Sequence, residues 1–206
     1  MNKITIERKA LNKIKRNKKG SIFFAEDFLS CGDSQSINRA LARLKEKGIL
    51  IRLSFGIYLY PKKDDILGIL YPSLDEVAKT IAKRDRARII PTGVYALNKL
   101  GLSTQIPMNI VYLTDGSPRN IKIGKSTIKF KKTAPRILTV KGEISGLVIQ
   151  ALKEIGKGYI SDEQINKIMI LLKNEKNENL EHDMKLAPAW IRDILKKKRD
   201  NNETMV

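Results

Sequence analysis

Gln35, Arg39 and Arg43 stand four residues apart in the segment SQSINRALARLKEKGIL, residues 34–50. On a helix that spacing places all three in one stripe, with Asn38 and Ala42 at its border. Their chemistry is that of base reading. Arginine makes two parallel hydrogen bonds with the major-groove edge of guanine, and Asn or Gln does so with adenine. Small polar side chains in the first turn, from Ser34, Gln35 and Ser36, let a helix end come close to phosphates and base edges. Most charged helix faces meet only water, so this stripe gains meaning only from the elements that position it.

Behind it, Ile37, Ala40, Leu41 and Leu44 recur at helical spacing. They predict a helix over 34–47, capped by Asp33 or Ser34 and closed by Gly48, which tolerates the left-handed turn at a helix end. Upstream, Ile6, Ala10, Leu11 and Ile14 predict a first helix over 4–16. A short strand at 21–24 and a short helix at 25–29 follow. Downstream, the apolar runs 49–53 and 57–60 flank Ser54-Phe55-Gly56, which reads as a β-hairpin. Pro61 ends its second strand, because proline cannot extend a ladder. Helix, strand, helix, helix, hairpin is the order of a winged helix-turn-helix, in which the third helix enters the DNA major groove. Arg52 and Ser54 of the wing, Lys62, Lys63 and the Lys13–Lys19 cluster are then placed to contact phosphates. Phe55, Tyr58 and Tyr60 are expected to pack in the core and wing rather than stack on bases.

Charge agrees with a polyanionic partner. The 206 residues carry a formal net charge of +18. Residues 1–63 hold 15 Lys/Arg against 5 Asp/Glu, 64–140 hold 13 against 6, and 141–206 hold 12 against 11. The excess lies in the first two thirds, which favours nucleic acid over a membrane surface. A lysine-rich coding bias is the competing explanation. No apolar run reaches the roughly 18 residues of a membrane span, and the charged N-terminus lacks the apolar centre of a signal peptide. With a single cysteine, Cys31, a cytoplasmic location is expected.

Residues 64–206 read as a second, α+β domain with C-terminal helices, joined to the first (1–63) through DDILGILYP. Ser73 to Glu76 form a capping box, with Val77, Ala78, Ile81 and Ala82 as the buried face of its helix. ARIIP, NIVYLTDG and NIKIGKSTIKF supply strands, and TGVYALNKLGL a short helix. Helices follow over 144–155, after a second capping box at Ser161 and Gln164, and from about Pro188. The fold class expected is therefore α+β: a winged helix-turn-helix, then an α+β domain with a helical tail.

Enzyme signatures are sparse. One histidine, His182, and one cysteine leave no zinc set of the usual kind. His182 lies in a polar stretch and is expected at the surface; Cys31 reads as a structural thiol. The GKS triplet at 124–126 lacks the glycine five positions earlier that a phosphate loop needs, since Arg119 stands there, and it lies between two strands. It reads as a hairpin turn. No catalytic residue, metal or cofactor is expected. The residues alone leave open a transcriptional regulator and an RNA- or protein-interaction module.

The wing RLSFGIYLYPK resembles the G-I-Y-Y-Y-P-K ending of the N-terminal winged domain in AbiEi-type antitoxins of type IV toxin–antitoxin (abortive infection, phage defence) systems. Residues 92–136, TGVYALNKLGLSTQIPMNIVYLTDGSPRNIKIGKSTIKFKKTAPR, resemble the domain that follows in that family, with its phrases A-L-N-x-L-G-L-S-T-Q-x-P and Y-L-T-D-G both present. The resemblance covers about residues 4–140, and the tail is less distinctive. It implies a repressor of its own operon that binds double-stranded DNA at inverted repeats. It also implies an antitoxin that counters a nucleotidyltransferase-like toxin without a stable complex, with the second domain contributing to antitoxicity. Longer members of the family make this chain a compact version.

Overall fold

The computed structural model describes residues 4–203. The protein is α+β: a winged helix-turn-helix, then sheet and helices, then a helical tail. It divides into two compact units, one of residues 1–81 with 122–125, the other of 82–121 with 126–206. The division falls inside a helix at Leu74–Arg84. Among the described residues no helix is long and apolar enough to cross a membrane.

In the first unit, α1 (Ile6–Lys15) starts at Thr5, whose hydroxyl accepts the Arg8 N–H at 3.3 Å. β1 (Ile22–Phe24) leads into the expected short helix, which is of the 3₁₀ type and spans Ala25–Cys31. The Asp27 carboxylate fixes its entry by accepting the Phe24 N–H at 2.7 Å. α2 (Ser34–Glu46) is capped by Asp33, whose carboxylate accepts the Ser36 N–H at 2.9 Å. It closes at Gly48, which adopts φ +69°. Ala10 and Ile14 of α1 join Ile37, Leu41 and Leu44 of α2, with Phe23, Phe28, Leu50 and Tyr58, in one buried cluster. β2 (Ile51–Ser54) and β3 (Ile57–Leu59) form the wing, and β3 lies between β1 and β2 in an antiparallel sheet. A bulge at Leu53 separates the Arg52↔Tyr58 and Ser54↔Ile57 pairs. The tip is the two-residue loop Phe55-Gly56, with Gly56 at φ +69°.

Pro61 ends β3, but pairing resumes at once. β4 (Lys62–Asp64) and β5 (Gly68–Leu70) form a second hairpin within what the sequence presented as a link. Asp64 builds its turn by accepting the N–H groups of Ile66 and Leu67, each at 2.9 Å. α3 (Leu74–Arg84) begins at the expected box: Glu76 accepts the Ser73 N–H at 2.7 Å, and Ser73 Oγ accepts the Glu76 N–H at 3.2 Å.

The second unit is built on a sheet ordered β6 (Ile89–Thr92), β7 (Asn109–Thr114), β9 (Ser126–Lys132), β8 (Arg119–Ile123). β6 and β7 are antiparallel; β7 and β9 are parallel, in register from Asn109↔Thr127 to Thr114↔Lys132. Ile110, Tyr112, Ile128 and Phe130 are buried, while Lys129 and Lys131 alternate outward. Gly124, at φ +59°, turns the chain between β8 and β9, so GKS is a hairpin turn. α4 (Val94–Lys99) follows β6. α5 (Glu143–Ile155), α6 (Asp162–Leu172), α7 (Asn177–Met184) and α8 (Ala189–Glu203) form the tail, with Val148, Leu152, Ile168 and Ile191 at the centre of its core. α7 is absent from the sequence expectation. It carries Asp183, fully buried, which accepts hydrogen bonds from the N–H groups of Lys141 (2.9 Å) and Gly142 (2.8 Å) and from Ser145 Oγ (2.6 Å). Glu175 accepts from Ile144 and Ser145 N–H at 3.0 and 3.2 Å. Two distant carboxylates thus satisfy the orphan donors at the start of α5.

Candidate nucleic-acid interface

The exposed stripe of α2 exists because its opposite face is buried. Ile37, Ala40, Leu41 and Leu44 are almost fully enclosed, which turns Ser34, Gln35, Asn38, Arg39 and Arg43 to solvent and leaves Ser36 half-buried. Asp33 takes the Ser36 N–H, and that hydrogen bond holds its carboxyl below the ordinary value. The first turn therefore already faces a carboxylate. An anionic ligand approaching this turn would meet the side chains of Ser34, Gln35 and Arg39 rather than free helix N–H groups.

The two arginines differ. Arg39 makes no ion pair among the described residues. Arg43 lies 3.8 Å from Glu7 of α1, and Lys47, just past the end of α2, pairs with the same carboxylate. Lys47 and Arg43 together keep the Glu7 carboxyl below its ordinary value, Lys47 contributing most.

In the wing, Arg52 is exposed and bonded through Nε to the Ser54 carbonyl at 3.3 Å. Its guanidinium lies 5.2 Å from the centre of the Phe55 ring. Ser54 is half-buried. Phe55 is not packed in the wing, as the sequence had implied. It is 87% exposed at the hairpin tip, beyond the last paired residues Ser54 and Ile57. Tyr58 is buried and Tyr60 packs against the core cluster. Lys62 and Lys63 are exposed on β4. Lys13 differs from the rest of its cluster: its ammonium donates to the Asp27 carbonyl and lies 5.8 Å from the Phe28 ring centre, a packing role.

A concave site lies in the other unit. A cleft of about 650 Å³ is lined by Thr92, Tyr95, Ile106, Met108, Lys131 and Glu154, among others. Its walls come mostly from the phrase TGVYALNKLGLSTQIPMN, and Ile106 is 86% exposed at its rim. His182, expected at the surface, is half-buried, with Nδ1 2.8 Å from Asp183. Cys31 is an unpaired thiol. Among the described residues no group of three His, Cys, Asp or Glu is arranged to hold a metal ion.

The family model of DUF6088, described as a family of unknown function, matches residues 9–180. The chain belongs to the DUF6088 family. This DUF6088 protein is also similar to the crystal structure of the RV2827C protein from Mycobacterium tuberculosis. That match has 14% identity and a TM-score of 0.45, and covers 93% of this chain and 81% of that one. No curated protein matches it.

Proposed function

We propose that this DUF6088 protein is a DNA-binding transcriptional autorepressor. In this reading it acts as the antitoxin of a type IV toxin–antitoxin system, countering a nucleotidyltransferase-like toxin. One observation carries the DNA half: the exposed α2 stripe of Gln35, Asn38, Arg39 and Arg43 lies on the same unit as a basic wing. α2 reads base edges through Ser34, Gln35, Ser36, Asn38, Arg39 and Arg43. Arg52 and Ser54 of the wing, with Lys62 and Lys63, hold phosphates. The antitoxin half rests on the resemblance of residues 92–136 and of the wing to AbiEi-type proteins. The protein is proposed to be cytoplasmic and to work without catalysis or cofactor.

The test is a reporter driven by the gene's own upstream DNA, run beside co-expression with the neighbouring reading frame. Repression that Arg39→Ala relieves, and rescue from a toxic nucleotidyltransferase-like neighbour, are the expected results. Unrepressed reporter activity contradicts the DNA half, and undiminished toxicity the antitoxin half. A protein-interaction role for the second unit has its own support in the cleft rimmed by exposed Ile106 and Met108. A nuclease-resistant protein partner that Ile106→Asp releases is the result that favours it.

A further inference from the structure

Glu7 carries the inference, which rests on the DNA-reading face proposed above. It is the half-buried acid of α1's first turn, its side chain 21% exposed, and it faces two cations of α2 and its C-cap, Arg43 and Lys47. Those cations are well exposed, at 65% and 59% of their side-chain surface. One carboxylate thus offsets one of the two charges that Arg43 and Lys47 bring to a surface whose residue types suit phosphate. The N-terminal half keeps Arg39 without an ion pair among the described residues. We infer that Glu7 is a specificity-determining residue: it occupies Arg43 and Lys47 as an internal phosphate mimic and so restrains sequence-independent binding of DNA.

The physics is that of counterion release. Each phosphate that a cation neutralises steepens the fall of log affinity with log salt by about 0.9. Phosphate contacts strengthen binding to every sequence alike, whereas base contacts discriminate. A cation already paired within the protein displaces fewer of the DNA's condensed counterions. Arg43 and Lys47 in the wild type therefore add little to affinity for random DNA, which leaves discrimination to the base contacts of α2.

The experiment compares full-length wild type, Glu7→Gln and Glu7→Asp on upstream and random duplexes across about 50 to 200 mM salt. Freeing these cations in Glu7→Gln steepens the slope on random DNA by about 0.9 to 1.8, roughly a three- to tenfold larger loss across that range. The ratio of upstream to random affinity falls at the same time. Glu7→Asp keeps the charge and the first-turn acid but draws it back by one methylene, and is expected to fall between. Side-chain nitrogen resonances of Arg43 and Lys47 in the wild type give a readout that needs no variant. They are expected to stay near their free positions when random DNA is added. Slopes and ratios unchanged in a folded Glu7 variant, or wild-type Arg43 and Lys47 resonances that move with DNA, overturn the inference while leaving the DNA reading intact. Wild type that binds neither duplex overturns the DNA reading, and the inference with it.

Discussion

Under the proposed function Arg39 is where base reading is most direct, because among the described residues no acid pairs with its guanidinium, whereas Arg43 faces Glu7. Its loss to alanine is expected to weaken binding to the upstream site by about 1–3 kcal/mol with little change on random DNA. Equal losses on both DNAs would place it among the phosphate ligands. Lys62 has the opposite profile. It is exposed on β4, so Lys62→Ala is expected to weaken binding evenly across sequences and reduce the salt slope by about 0.9. At the wing tip, the Phe55 ring supports the Arg52 guanidinium. Such a contact is worth about 0.5–1 kcal/mol at an exposed site. Phe55→Ala is expected to cost binding on this scale without lowering thermal stability, since Phe55 buries little of its surface. A fall in Tm would show that the ring packs elsewhere.

At the scale of elements, burial separates what positions the face from what forms it. Leu41 is fully enclosed between α2 and the rest of the first unit. Leu41→Ala is expected to cost about 2–5 kcal/mol in stability, measured by denaturant unfolding, and to reduce binding only as far as the fold is lost. The carboxylates at the start of α5 give a pH dependence. Burial works to raise the Asp183 carboxyl, but hydrogen bonds from His182, Ser145, Lys141 and Gly142 outweigh it and hold it below the ordinary value. Glu175 is lowered in the same way, its burial outweighed by N–H groups of Ser145, Lys176 and Ile144 and by Asn179. Depressed carboxyls contribute stability that is present above the ordinary carboxylate pKa of about 4 and is lost as pH falls through their lower folded values. Thermal melts are expected to show Asp183→Asn well below wild type at neutral pH, with the gap narrowing in acid. A gap that stays constant would contradict this account. These carboxylates also show where the sequence was readable. α1, α2 and the wing were legible because apolar residues repeat at 3.6 or 2 and the caps and glycines fall at their ends. α7 was not, because NENLEHDM has no apolar stripe, and one of its two buried residues, Asp183, is charged. The β4–β5 hairpin was equally hidden: β4 is exposed throughout, and its turn depends on Asp64 bonding to backbone N–H groups, which leaves no hydrophobic pattern.

For the whole molecule, charge and division matter together. The first 63 residues hold 15 basic against 5 acidic residues, and they build most of the unit that carries the α2 face. The face itself was legible as a stripe, but its electrostatics were not. Glu7 is 32 residues before Arg39 and 36 before Arg43 in the chain, so only the packing of α1 on α2 shows that it pairs with Arg43 and not with Arg39. The cleft of the second unit lay similarly out of reach, since its wall residues come from β6, α4, β7, β9 and α5. The most direct test of the account is a band-shift titration of the full chain on its own upstream DNA, beside random DNA of equal length, at about 50 and 200 mM salt. The account predicts tight binding to the upstream site, weaker binding to random DNA, and a loss on both as salt rises. Equal affinity for the two duplexes at both salts would contradict base reading by α2 and leave a basic protein that holds phosphates without sequence.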